Sequence, residues 1–178
     1  MRSWPVDAQQ GGFPVIIQPI NILPYSFFAW SQQTWFGHWI ETQQWVFAIT
    51  ETIHILAFTI LLGTTLCVDM RLLGFGMRRQ PTARIAHDLN PWMWAALAVT
   101  VVTGILMYLS EAERLSISAP FFYKIIFFLC AIVLHFTIHR KATSPGGIDG
   151  AWFGKLAACL SLIFWLGVAL AGRAIGFI

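Results

Sequence analysis

Four apolar stretches, each close to the ~20 residues a helix needs to cross a bilayer, fill most of this chain: residues 45–68, 92–109, 121–138 and 156–177. Polar positions inside them are few and recur at helical spacing. At ~100° of rotation per residue, with His54 taken as zero, Glu51 falls at about +60°, Thr65 at about +20° and Asp69 at about +60°. The first stretch thus carries one polar stripe, completed by Phe58 and Leu61. On the third, Lys124, Phe128, Ala131 and His135 share a side, and His139 lies ~60° round from Lys124. Ionisable groups are costly in hydrocarbon and normally face a bundle interior. The pattern therefore predicts an all-α fold, a four-transmembrane-helix bundle over residues 45–178 with both stripes turned inward.

Residues 1–44 read differently. Pro5, Pro14, Pro19 and Pro24 each remove a backbone donor that lipid cannot replace, which rules out a spanning helix there. Arg2 is the one basic residue ahead of them and no small-residue cleavage site follows, so this segment is expected to be retained. Ser26 is a candidate helix N-cap. Beyond it Phe28, Trp35 and Trp39 fall on one helical face, with Ser31, Gln33, Thr34 and His38 off it. The segment is expected to be an interfacial Trp/Pro-rich helix at headgroup depth. It serves either as a membrane anchor or as a docking surface for a protein partner, since residues 13–22 are apolar and need covering.

Composition narrows the field. Hydrophobic residues make up 57% of the 178 and charged ones 11%, which leaves room for one membrane domain and no second folded one. A net charge of +3 spread over loops argues against nucleic-acid binding. Arg71, Arg78, Arg79 and Arg84 follow the first span, and Arg140, Lys141 and Lys155 follow the third. The positive-inside rule then places both termini outside the cytoplasm, in a bacterium the periplasm. Pro81, Pro91 and Pro120 mark breaks or first turns around the second and third spans. Gly74 and Gly76, like Gly146 and Gly147, lack the strand–turn–helix setting of a nucleotide loop. Cys67, Cys130 and Cys159 stand alone within spans and read as packing residues. Gly154, Ala158, Gly172 and Gly176 permit close helix contact on the fourth.

The candidate chemistry rests on few side chains. Glu51 and Lys124 lie at matching depth, within about 10 Å of the outer boundary, on antiparallel helices, so a structural ion pair between them is expected. His54 sits one turn deeper, while His135, His139 and His87 lie near the opposite boundary. Several histidines inside an apolar four-helix bundle suit haem b: neutral imidazole ligates iron, and Phe58, Phe127, Phe128, Trp92, Trp94 and Trp165 would wall the macrocycle. His54 is the candidate iron ligand, and His87, His135 and His139 are candidates for an inner site. His54 and His139 differ in depth by more than ~10 Å and would not share one haem. The methionines form no Met/His/Cys cluster, which disfavours copper.

These residues carry a resemblance. Glu51 and His54, running on through Asp69, Arg71 and Gly74, resemble the first helix of a bacterial four-helix inner-membrane family, the DUF6644 group. Asn90, Pro91 and Trp92 match it further, as do Thr103 with Gly104, Tyr123 with Lys124, His139 with Arg140, and Trp165 through Arg173. The likeness covers roughly residues 27–178. More distantly the chain is similar to CopD-like copper-resistance proteins and HemJ-type haem-containing oxidases. His135, where a small polar residue is expected, and the proline-rich extension depart from the pattern. The resemblance implies a bacterial inner-membrane location. The resulting expectation is a b-type haem electron-transfer subunit of a larger membrane complex. The alternatives are a non-redox accessory subunit docking partners through residues 1–44, or a HemJ- or CopD-like oxidase or copper-handling protein.

The charge asymmetry makes a direct prediction. A periplasm-active reporter fused after Ile178 should be active and the same reporter inserted within residues 144–150 inactive; the reverse pattern would overturn the orientation.

Overall fold

In hydrocarbon an apolar run can satisfy its own backbone only as a helix, because each N–H then finds a carbonyl four residues back. The structure, a computed structural model, describes residues 25–75, 81–139, 141 and 152–177. Two short helices, α1 (Tyr25–Gln32) and α2 (Trp35–Thr42), precede the first span α3 (Gln44–Leu72). The second span α4 (Thr82–Ser110) is followed by the short α5 (Ala112–Ser116). The third, α6 (Ala119–Leu134), continues as a π-helical turn, His135–His139, and the fourth is α7 (Trp152–Ile175). Four segments of 28, 29, 19 and 24 residues are long and apolar enough to cross a membrane. At ~1.5 Å per residue the two longest reach ~42–44 Å, beyond a ~30 Å hydrocarbon core, so they tilt or project. The chain is a multi-pass helical membrane protein.

Two sequence expectations are corrected. The second span begins at Thr82 with Pro81 as its extended N-cap, and Pro91 lies within the helix rather than at its start. Pro91 frees the His87 carbonyl, but His87 is exposed near the helix end, where water can take the place of the missing donor. The N-terminal helix is also two helices. Ser26 lies inside α1, and the break comes at Thr34, whose hydroxyl donates to the Ser31 carbonyl at 2.8 Å and accepts from Gly37 N–H at 3.3 Å. That cap reorients the chain, so Phe28 is buried while Trp35 and Trp39 are exposed, and the three do not share a face.

Phe28 seats α1 on the bundle through edge-on contacts with Tyr108 and Phe122 and packing on Ala112. Ser31 and Tyr108 share a 3.2 Å hydrogen bond, and Glu113 N–H donates to Gln32 Oε1 at 2.8 Å. In the bundle, α3 packs on α4 and α6 on α7 as antiparallel hairpins, joined mainly through α3 and α7. One core layer gathers Val68, Leu72, Ile85, Ala157 and Ala158, and a second gathers Leu61, Met93, Ala96, Ala131 and Trp165. The buried Gly154, Ala157 and Ala158 let α7 approach closely, as their small size anticipates. Between α4 and α6, aromatic pairs bridge both ends: Tyr108 stacks on Phe121 at 5.8 Å, and Trp94 meets Phe136 at 5.4 Å. Open volume is left between them. Cys67 and Cys159 are exposed and Cys130 is half-buried, so none of the three packs fully in the interior as expected.

The proline-broken segment up to residue 24, Arg78, Arg79, Arg140, the turn at 144–150 and the side chains of His38 and His139 lie outside the described residues.

Gly37 marks where α2 meets the end of α4. A Cβ there would lie 2.5 Å from the Gln32 carbonyl oxygen and 2.7 Å from that of Leu109, both backbone atoms that no rotamer change moves. Gly37→Ala should therefore cost about 1–3 kcal/mol and lower the thermal midpoint in detergent. Gly63→Ala, where a Cβ meets open space, is the control; equal midpoints for the two variants would refute the docking.

Candidate functional site

The inward stripe of α3 forms as its spacing predicts: Ala57, Leu61, Thr65, Val68, Asp69 and Leu72 are all buried, and His54 continues the stripe at 9% exposure. His54 faces α4, where its Nδ1 lies 2.9 Å from Thr103 Oγ1. A hydroxyl carries one proton, and Thr103 gives its proton to the Val99 carbonyl at 2.7 Å. Thr103 must then accept from His54 Nδ1–H. The tautomer is thereby assigned by the network, and the Nε2 lone pair is left for another partner. Gly104 makes room for the ring, since a Cβ there would sit 3.2 Å from His54 Cε1.

His54 lines a cavity of about 540 Å³ walled by all four spans. This falls within the ~300–1,000 Å³ of small-molecule and cofactor sites. Phe47, Phe58, Met107, Tyr108 and Phe121 supply apolar wall, and Glu51, Lys124, Glu111, Arg114 and Arg173 supply charge. Arg114 is held by Glu111, its Nη1 lying 3.2 and 3.3 Å from the two carboxylate oxygens. Arg173 lies over the Phe177 ring at 5.0 Å. Lys124 lies against Gly172, where a Cβ would come 3.6 Å from its Cε and Nζ. The expected Glu51–Lys124 partners therefore share one cavity. Among the described residues, however, no direct ion pair joins Glu51 to Lys124. Glu51 is exposed, although its spacing gives it the same rotation as the buried Asp69.

The other histidines separate. His87 is exposed at the far end of α4, 3.5 Å from Asp88, and lines neither cavity described here. His135 lines a second cavity of about 360 Å³ with Thr64, Thr65, Asn90, Met93 and Trp94, at the π-helical turn. His54 and His135 thus belong to different sites. Among the proposed aromatic walls, Phe58 lines the larger cavity. Trp165 packs between Phe58 and Phe128 with centroids 6.2 Å from each, and Trp92 points outward, exposed. Among the described residues no three His, Cys, Asp or Glu side chains gather as a metal site. The sequence reading missed Thr103 as the partner of His54, and it missed Arg173, Arg114, Glu111 and Met107 as cavity residues. Counting depth from the ends of the second and fourth spans would have placed these four beside Glu51.

A family model described as "Family of unknown function (DUF6644)" matches residues 27–178. The Protein PHLOEM UNLOADING MODULATOR of Arabidopsis thaliana is similar over 61 residues at 36% identity. That match covers 34% of this chain and 14% of the plant protein's length. No solved structure matches.

The Thr103 contact yields a measurable consequence. Thr103→Val, which keeps the shape and removes the acceptor, should cost about 0.6–1.7 kcal/mol of bundle stability, and Thr103→Ser should restore most of it. Equal thermal midpoints for Val and Ser would mean that His54 is held by something else.

Proposed function

The chain belongs to the DUF6644 family, and from that premise we propose that it is a b-type haem subunit passing electrons within a larger membrane assembly, in which His54 would hold the iron. One observation carries this reading: the Thr103 hydroxyl occupies Nδ1 of His54, which leaves neutral Nε2, the nitrogen an iron would take, on a residue that lines a cofactor-sized cavity. Ligating histidines are characteristically oriented in this way through their other ring nitrogen. The remaining lining fits the same group. Phe58, Tyr108 and Phe121 give flat apolar wall, and Met107 is a second soft donor on the cavity surface. Haem would supply one-electron iron chemistry. The chain's own part is to bind through His54, fix the ring with Thr103 and keep water from the apolar wall. His135, in the smaller cavity, is the candidate for the inner site; His87 lines neither of the two cavities.

The finer placement is part of the same proposal: a bacterial inner membrane, both termini periplasmic, and a protein partner covering the exposed Trp30, Trp35 and Trp39 of α1 and α2. Those tryptophans are also what favours the accessory-subunit reading.

Protein purified in detergent should show a Soret band with redox-sensitive α-band. His54→Ala should lower haem content severalfold, or leave five-coordinate iron, with helicity unchanged. Colourless wild-type protein that also fails to take up added haem would sink the haem reading and leave the accessory role.

A further inference from the structure

Charge within the larger cavity does not balance. Its lining holds three cations, Lys124, Arg114 and Arg173, against two carboxylates, Glu51 and Glu111. Arg114 and Glu111 neutralise each other. Glu51 is the remaining carboxylate and makes no direct ion pair with Lys124 or Arg173. Lys124 lies within the third span, Ala119–Thr137, where an uncompensated cation is costly. Its ammonium lies against Gly172, the residue before Arg173. Two cations from different helices thus line one cavity, Lys124 from α6 and Arg173 from α7, together with the apolar residues Phe58, Ile55, Val168 and Met107.

We propose that Lys124 and Arg173 form a clamp for the acidic group of an amphipathic ligand whose apolar body lies in the cavity. The ligand class follows from the lining: a carboxylate or phosphodiester supplies the missing negative charge, and the apolar wall takes the rest of the molecule. The inference deepens the haem reading and rests on it for the ligand's identity, a haem propionate being such a carboxylate. An acidic membrane lipid offers the same chemistry, and the test separates the two. Lys124 and Arg173 orient the ligand, whereas His54 ligates it, so the two roles are separable by mutation.

The test uses the full chain in detergent, with equilibrium binding of ferric haem b and of its dimethyl ester, which keeps the iron and ring but has no free carboxylate. The wild type should prefer the free acid by about tenfold or more, the value of one or more charge-assisted hydrogen bonds. Lys124→Met with Arg173→Gln should abolish that preference while retaining the His54-ligated spectrum, and Lys124→Arg should keep it, which guards against misfolding as the cause. An unchanged preference in the double variant overturns the clamp. If neither haem form binds with a ligated spectrum, the haem reading fails on its own. The clamp is then read from acidic phospholipid retained by the purified protein in native mass spectra. Retention by the wild type and severalfold loss in the double variant supports a lipid ligand. Equal retention, or none in the wild type, overturns the clamp as well.

Discussion

Hydrocarbon supplies no hydrogen-bond partner, so each polar side chain in the spans has to be satisfied by the chain itself. Most of the threonines meet this demand locally; the buried Thr100 hydroxyl on α4, without a hydrogen-bond partner among the described residues, is an exception. Thr50, Thr59 and Thr65 on α3 donate to carbonyls four residues back, at 2.8 Å each, and Thr137 does the same at the end of the third span. These groups therefore behave as part of the helix, and they leave the packing surfaces to Leu61, Ala131 and Trp165. Thr103 is the one among them that also receives a bond from another span, and that bond is what places His54.

The same constraint shapes the bundle. α3 and α7 approach through small or compact residues, and α6 and α7 come together where Gly167 lies under the Phe127 ring. A Cβ at Gly167 would come 2.9 Å from that ring, so the contact depends on the missing side chain. On the other side α4 and α6 are spaced by large rings at each end. Bulky spacers at two levels of a helix pair leave volume between them, and into that volume the ionisable residues turn. The two cavities are thus a consequence of side-chain size, and among the charges lining the larger one Glu51, Arg114 and Arg173 are exposed while Lys124 and Glu111 are half-buried.

The periodicity of the polar positions was sufficient for much of this. Alternation at helical spacing told apart the spans, the buried stripe from His54 to Asp69, and the shared side of Lys124, Ala131 and His135, because a bilayer forces both secondary structure and facing direction. It misled where local chemistry competed with the pattern. Pro91 reads as a stop, yet it is carried inside α4 because it falls near the exposed end of that helix. Thr34 reads as one more polar position off a single interfacial face, yet its capping bond splits that helix in two.

The sequence by itself determined that this is a four-span helical membrane protein with an inward stripe running from His54 to Asp69 on its first span, since length, hydropathy and spacing are properties of each segment alone. Only the tertiary structure decided which of those residues meet. Depth counted along one helix cannot give the rotation and tilt of its neighbour, and those set whether two side chains touch or face each other across a gap. Hence Glu51 and Lys124, matched in depth, share a cavity without pairing. His54 finds Thr103, and Lys124 lies against Gly172 in the cavity that Arg173 also lines.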